Sequence, residues 1–119
     1  MGKLPAILEI EQWCADRKGA FDSCEIFEAT NKAFNVSIAE NTRKREMAEP
    51  RRCYVWFCYL LMKKPHPQCI ARKIGKSRPA VTSSFIKTKK LLEVNDAIVV
   101  ANIQKVFTEL KEQYERVQS

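Results

Sequence analysis

A chain of 119 residues has room for one hydrophobic core, so a single domain is expected. Hydrophobic residues make up 45% and charged residues 29%, which excludes a disordered tail, and three glycines are too few for a turn-rich β fold. The formal charge of +7 is unevenly spread: residues 43–90 hold 14 Lys/Arg against 2 Asp/Glu, a net +12, whereas the rest hold 7 against 12, a net −5.

A basic block inside a folded region points to a surface that meets a polyanion, in preference to a merely solvated face. The longest apolar run, Cys53–Met62, has ten residues. A membrane-spanning helix needs about 20. The start, Met1–Ile10, mixes apolar residues with Pro and Glu and does not read as a signal peptide. No membrane partner is expected. Five cysteines (Cys14, Cys24, Cys53, Cys58 and Cys69), odd in number and without C-x-x-C, fit a reduced cytoplasmic setting.

In chain order, a first helix is predicted over residues 5–18. Pro5 suits its start, Ile7, Ile10, Trp13 and Cys14 recur at helical spacing, and Gly19 can stop it. A second helix is predicted over 22–35. Asp22 or Ser23 caps it, Glu25 stands at capping-box spacing from Asp22, and Ile26, Thr30, Ala33 and Phe34 form the inner stripe. Asn35-Val36-Ser37 reads as an exit turn. Residues 37–47 carry Arg43-Lys44-Arg45-Glu46 and read as a short helix or a basic loop.

A third helix starts near Glu49-Pro50 and carries the apolar run, which is too long for an ordinary strand and fits a central helix covered on most sides. Cys53 and Cys58 then read as small core residues, and Trp13, Trp56 and most of the aromatics at 54–59 as core in preference to base-stacking platforms. Lys63-Lys64 suits the end of this helix, and Pro65-His66-Pro67 is a rigid break. A short helix over 68–74, a turn at Gly75 and a helix from about Ser77 to Leu92 follow. Asn95 or Asp96 caps a last helix to about Val117, with Ile98, Ala101, Val106 (or Ile103), Leu110 and Tyr114 as its stripe. The fold class read from this pattern is an all-α bundle of about six helices.

Residues 65–92 carry the chemistry. The short helix turns Ile70, Ala71 and Ile74 inward, Gly75 makes the turn, and the next helix puts Val81, Phe85, Thr88 and Leu92 on one face. Small Ala71 at a close approach, Gly in the turn and apolar anchors on both sides are the pattern of a helix-turn-helix. The opposite face carries Pro79, Ser83, Lys87 and Lys90, and its entry presents Lys76, Ser77 and Arg78. Lys73 adds a cation on the preceding helix, and no acid occurs between Pro50 and Leu92. Long cations beside short polar side chains suit a major groove and its phosphates.

These residues resemble the C-terminal DNA-binding domain of the bacterial replication initiator DnaA, over roughly residues 24–92. Ile26 through Ala33-Phe34-Asn35-Val36-Ser37 is similar to that domain's opening helix and its exit turn. Arg43-Lys44-Arg45-Glu46 followed by Ala48-Glu49-Pro50-Arg51-Arg52 resembles the basic loop and the start of the long buried helix. Ile70-Ala71-Arg72-Lys73-Ile74-Gly75 resembles the "I-G-x-x-F-G" helix, and Lys76-Ser77-Arg78-Pro79-Ala80-Val81 falls at the "R-D-H-T-T-V" signature.

The resemblance implies a Trp-repressor-like helical fold with its recognition helix in the major groove of double-stranded DNA. It implies that Lys44 and Arg45, with Arg43 beside them, reach the minor groove or its phosphates. Arg51, with Arg52 next to it, would contact a phosphate, and Lys76 would stand in for a base-reading arginine. Four signature positions differ, being Ser77, Arg78, Pro79 and Ala80 here, and Lys76 lacks arginine's bidentate fork. No G-x-x-x-x-G-K-[ST] loop occurs, so the initiator's ATPase chemistry is not expected.

A catalytic reading is weaker. His66 is the one histidine and lies between two prolines. Beside Cys69 it reads as a loop residue next to a core thiol in preference to a base for a nucleophile. His66, Cys69 and Cys58 lack paired zinc-ligand spacing, and Asp16, Asp22, Glu25 and Glu28 read as caps and a solvated face. No enzyme activity, cofactor, metal or small-molecule substrate is expected. Beyond DNA, the helices at 5–18 and 96–117 could form a homodimer or dock a protein partner through their apolar stripes.

Overall fold

A computed structural model describes residues 2–36, 38 and 48–118 of the chain. Six α-helices account for about three quarters of them, with no strand among the described residues: α1 Pro5–Asp16, α2 Ser23–Phe34, α3 Ala48–Leu61, α4 Pro67–Lys73, α5 Arg78–Glu93 and α6 Ala97–Gln118. The protein is therefore all-α, as its composition and periodicity indicate. No helix among the described residues is long and apolar enough to cross a membrane.

Local sequence explains the helix boundaries. Pro5 stands at the start of α1, where its missing N–H costs nothing. The helix stops at Asp16, two residues short of the expected end, because Arg17 leaves helical geometry. Gly19 then takes φ +95° and donates its N–H to the Leu61 carbonyl at 2.7 Å, which pins the α1–α2 turn to the end of α3. The capping box on α2 is complete: Asp22 Oδ1 accepts from the Glu25 N–H at 2.8 Å, and Glu25 Oε1 accepts from the Asp22 N–H at 3.2 Å. Asn35 ends that helix in the left-handed region at φ 53°. Asp96 caps α6 through the Val99 N–H at 3.0 Å.

The α3 helix runs through the centre and packs against α1, α2, α5 and α6. Cys53 to Cys58 are six consecutive residues exposed by no more than 2%. A helix buried on both its inner and outer turns must lie inside the bundle. The Tyr54 hydroxyl, taken out of water with its ring, donates to the Ile70 carbonyl at 3.3 Å, which ties α3 to α4. Trp13, Phe21, Phe107 and Tyr114 form an aromatic cluster joining α1 to α6. The Arg17 guanidinium lies 4.5 Å from the Trp13 ring and 5.0 Å from the Tyr114 ring.

The expected stripe of α6 needs correction. Val99, Val100, Ile103, Val106 and Leu110 are buried and Tyr114 packs against the core, whereas Ile98 is 68% exposed and Ala101 also faces out. Ile98-Val99-Val100 is apolar throughout, so the first turn carries no phase of its own. Stepping back by threes and fours from Leu110 selects Val99. Phase is then decided by the tertiary partners of α6, chiefly α2 and α3.

Candidate nucleic-acid interface

The α4 and α5 helices are joined by a four-residue connection, Ile74–Ser77. Ile70, Ala71 and Ile74 are buried, and Gly75 takes φ +63°, a conformation that costs glycine nothing and a β-branched residue a great deal. Ser77 caps α5, its Oγ accepting the Ala80 N–H at 3.3 Å, and Pro79 follows within the first turn. Val81, Thr88 and Leu92 are buried, with the Thr88 hydroxyl donating to the Ser84 carbonyl at 2.8 Å. Phe85 is half-buried and stacks on Tyr59 of α3 with ring centroids 4.3 Å apart. The inner faces of both helices are thus the ones the spacing indicates.

The outer face of α5 follows from the same 100° step per residue. Pro79, Ser83, Lys87 and Lys90 are all exposed, as are Lys76, Ser77 and Arg78 at its entry. Among the described residues, none of these four lysines and arginines takes part in an ion pair or has a partner of another kind. Four exposed cations without partners among the described residues therefore stand on the α4–α5 pair, Lys76 and Arg78 at the entry of α5 and Lys87 and Lys90 further along its outer face. Exposed residues there that were not singled out from the sequence include Arg72 on the last turn of α4, and Lys89 and the 47% exposed Ile86 on α5. Helical phase was the available signal for these, since each lies away from the buried positions of its helix.

Three other candidate cations are turned inward, and these are corrections. Arg51 is only 9% exposed, and its Nε donates to the Ile38 carbonyl at 3.0 Å. It sits on the first turn of a helix that is buried all round, so its side chain is drawn inward to satisfy a backbone carbonyl. Arg52 is held by Glu49, with Nη1 to Oε1 at 2.6 Å, and Asn102 Nδ2 donates to the other carboxylate oxygen at 3.3 Å, which links α3 to α6. Lys73 is half-buried with its Nζ 5.7 Å from the Phe27 ring, on the α2 side of α4. Arg43, Lys44 and Arg45 lie outside the described residues.

The remaining candidate groups separate cleanly by burial. Cys14, Cys53 and Cys58 are buried and free, and burial pushes the Cys14 and Cys53 thiols up to about 12, with Glu11 and Glu49 adding to the rise. The Cys58 thiol moves in the same direction for the same reason. Cys69 is exposed, and so is not the core thiol its position next to Ile70 indicates. His66 stands just before α4, in the N-cap position, and its side chain makes no cap hydrogen bond. Among the described residues no three His, Cys, Asp or Glu side chains are placed to share a metal ion.

Fold and surface together define a small all-α bundle with exposed basic side chains on α4, α5 and their connection. No protein-family model, curated protein or solved structure matches the chain.

Proposed function

We propose that this protein binds double-stranded DNA without catalysing a reaction, using α4 and α5 as a helix-turn-helix with α5 in the major groove. One observation carries the reading: Lys76, Arg78, Lys87 and Lys90 are exposed at the entry of α5 and along it, without partners among the described residues, and Pro79 and Ser83, on the side of Lys87 and Lys90, leave the α5 backbone approachable. Mobile cations without acids between them gain most from a polymer of phosphates, because each contact releases condensed counterions. Ile86, exposed beside Pro79 and Lys90, offers an apolar contact of the kind a thymine methyl accepts. The resemblance to the DnaA domain favours a regulatory or replication-associated role on the nucleoid.

Fluorescence anisotropy with a labelled duplex tests this. Affinity is expected to fall by several orders of magnitude between about 50 and 200 mM salt if some six phosphates are contacted. Selection from a random duplex pool at physiological salt then identifies the preferred site. Affinity that is independent of salt, or no binding at 50 mM salt, overturns the reading.

A second reading rests on a different observation. Leu4, Leu8, Val94 and Ile98 are exposed by 39, 53, 72 and 68%, and the Leu4 N–H donates to Asn95 Oδ1 at 3.0 Å, so the starts of α1 and α6 adjoin. An apolar patch of this kind supports a protein contact there, including a homodimer. Sedimentation at several protein concentrations, with Ile98→Asp as the control, decides it.

A further inference from the structure

The sequence singled out Lys76 and Arg78 but not what stands beside them. An open depression of about 450 Å3 lies where α4 meets the entry of α5, lined by Gln68, Ala71, Arg72, Lys76 and Arg78. We propose that this depression seats one phosphate group, whether a backbone phosphate of DNA or one phosphate of a free phosphoanion.

Three features of the depression argue for this. Its walls carry three positive charges and no negative one, since no acid occurs between Pro50 and Leu92. Arg72, Lys76 and Arg78 have no partner of their own, so nothing inside the protein offsets their mutual repulsion. An anion between them removes that repulsion and takes charge-assisted hydrogen bonds, the two guanidinium groups supplying forked donors and the ammonium a point charge. Ala71 is 3% exposed and small, which leaves the floor open to a tetrahedral anion. Gln68 adds an uncharged amide at the rim. The depression is open to solvent and has room for a hydrated phosphate group.

The seat changes how the two helices share their work. Arg72 and Gln68 belong to α4, whose Ile70 and Ala71 are buried, and the seat gives that helix a ligand contact of its own. The seat relies on the DNA reading only for one source of the phosphate. Its occupancy by a free phosphoanion can be tested without DNA.

Inorganic pyrophosphate is the probe, titrated into the full chain at low ionic strength and followed by backbone amide shifts and by thermal unfolding. Saturable one-to-one shifts centred on residues 68–80 are expected, with a rise in the unfolding midpoint because the anion binds only the folded state. Arg72→Gln should weaken this binding roughly tenfold. Lys64→Gln, which removes the same charge at an exposed site outside the depression, should leave it unchanged. Shifts that never saturate, or equal binding by the two variants, overturn the seat.

A duplex titration then names the source. If pyrophosphate displaces duplex, and Arg72→Gln makes the salt dependence of duplex binding shallower by about 0.9, the phosphate is one of DNA's own. If pyrophosphate binds and duplex does not, the seat serves a free phosphoanion and the DNA reading falls without it. If duplex binds and pyrophosphate does not, the DNA reading stands and the seat falls.

Discussion

Arg51 and Arg52 open α3, whereas Arg78, Lys87 and Lys90 lie on α5, and all five belong to the same acid-poor stretch of sequence. The two on α3 are folded into the molecule. One is bonded to the Ile38 carbonyl and the other is paired with Glu49. The three on α5 project into solvent with nothing to bind. The cause is the depth of the helix that carries them. A helix covered on four sides by α1, α2, α5 and α6 has little free perimeter, so a cation near its start must find an internal acceptor. A helix with one buried stripe leaves most of its perimeter to water, and its cations stay available. Net charge along a sequence therefore marks a region, and burial decides which of its charges can meet a partner.

This contrast can be broken or sharpened by experiment, beginning with the largest effect. The thiols of Cys53 and Cys58 on α3 should react with an alkylating reagent at neutral pH at least about a thousandfold more slowly than exposed Cys24 and Cys69, because attack requires opening of the core. Mass-spectrometric counting of labels against time checks this, and comparable rates at Cys53 and Cys69 would mean that α3 is not central. The same burial has a pH signature. Cys14 and Cys53 hold their protons in the folded state up to about 12, while the unfolded chain loses them near the ordinary value of 9.0. The folded state then binds more protons across that interval, so stability should fall as pH rises from 9 towards 12. Replacing both thiols by Ala should flatten that slope in denaturant titrations at stepped pH.

Truncating Trp56 to Ala should cost about 3–5 kcal/mol of unfolding free energy, measured by urea titration, since the ring is 2% exposed at the centre of the bundle. Lys76→Ala combined with Arg78→Ala should move stability by less than about 0.5 kcal/mol, and weaken duplex binding by roughly one to two orders of magnitude. If this double variant bound a mixed set of duplexes as tightly as the parent, α5 would not be the recognition helix. Arg51→Gln is expected to do the reverse. It should lose about 1–3 kcal/mol of stability by leaving a buried carbonyl without its donor, yet keep duplex affinity in the protein that remains folded. The smallest effect is at Ile86. Its change to Ala should leave the fold intact and cost about twofold to tenfold in affinity, and only for sites where replacing a thymine by deoxyuridine costs the parent the same.

Much of the fold was legible because local rules and tertiary packing agree. Pro5, the Asp22–Glu25 capping box, Gly75 and Asp96 each fix a helix end through groups a few residues apart, and each stands where the pattern places it. The apolar run in α3 is buried as its length indicates. The candidate surface was legible in part. The inner stripe of α5 fixes which residues must face outwards, so Pro79, Ser83, Lys87 and Lys90 follow from periodicity alone. Arg51, Arg52 and Lys73 did not, because their partners Ile38, Glu49 with Asn102, and Phe27 are contacts that helical phase does not reveal.

Six helices, their order, their caps and the outward side of α5 were determined by the chain itself, since turn chemistry and residue spacing act over three or four residues. That Val100 joins Val99 in the core, which basic side chains are consumed internally, and that Arg72 joins Lys76 and Arg78 around one depression were settled only when the helices packed. Those outcomes depend on the shape and polarity of surfaces distant in sequence, and a periodic pattern along one helix holds no information about the surface it will meet.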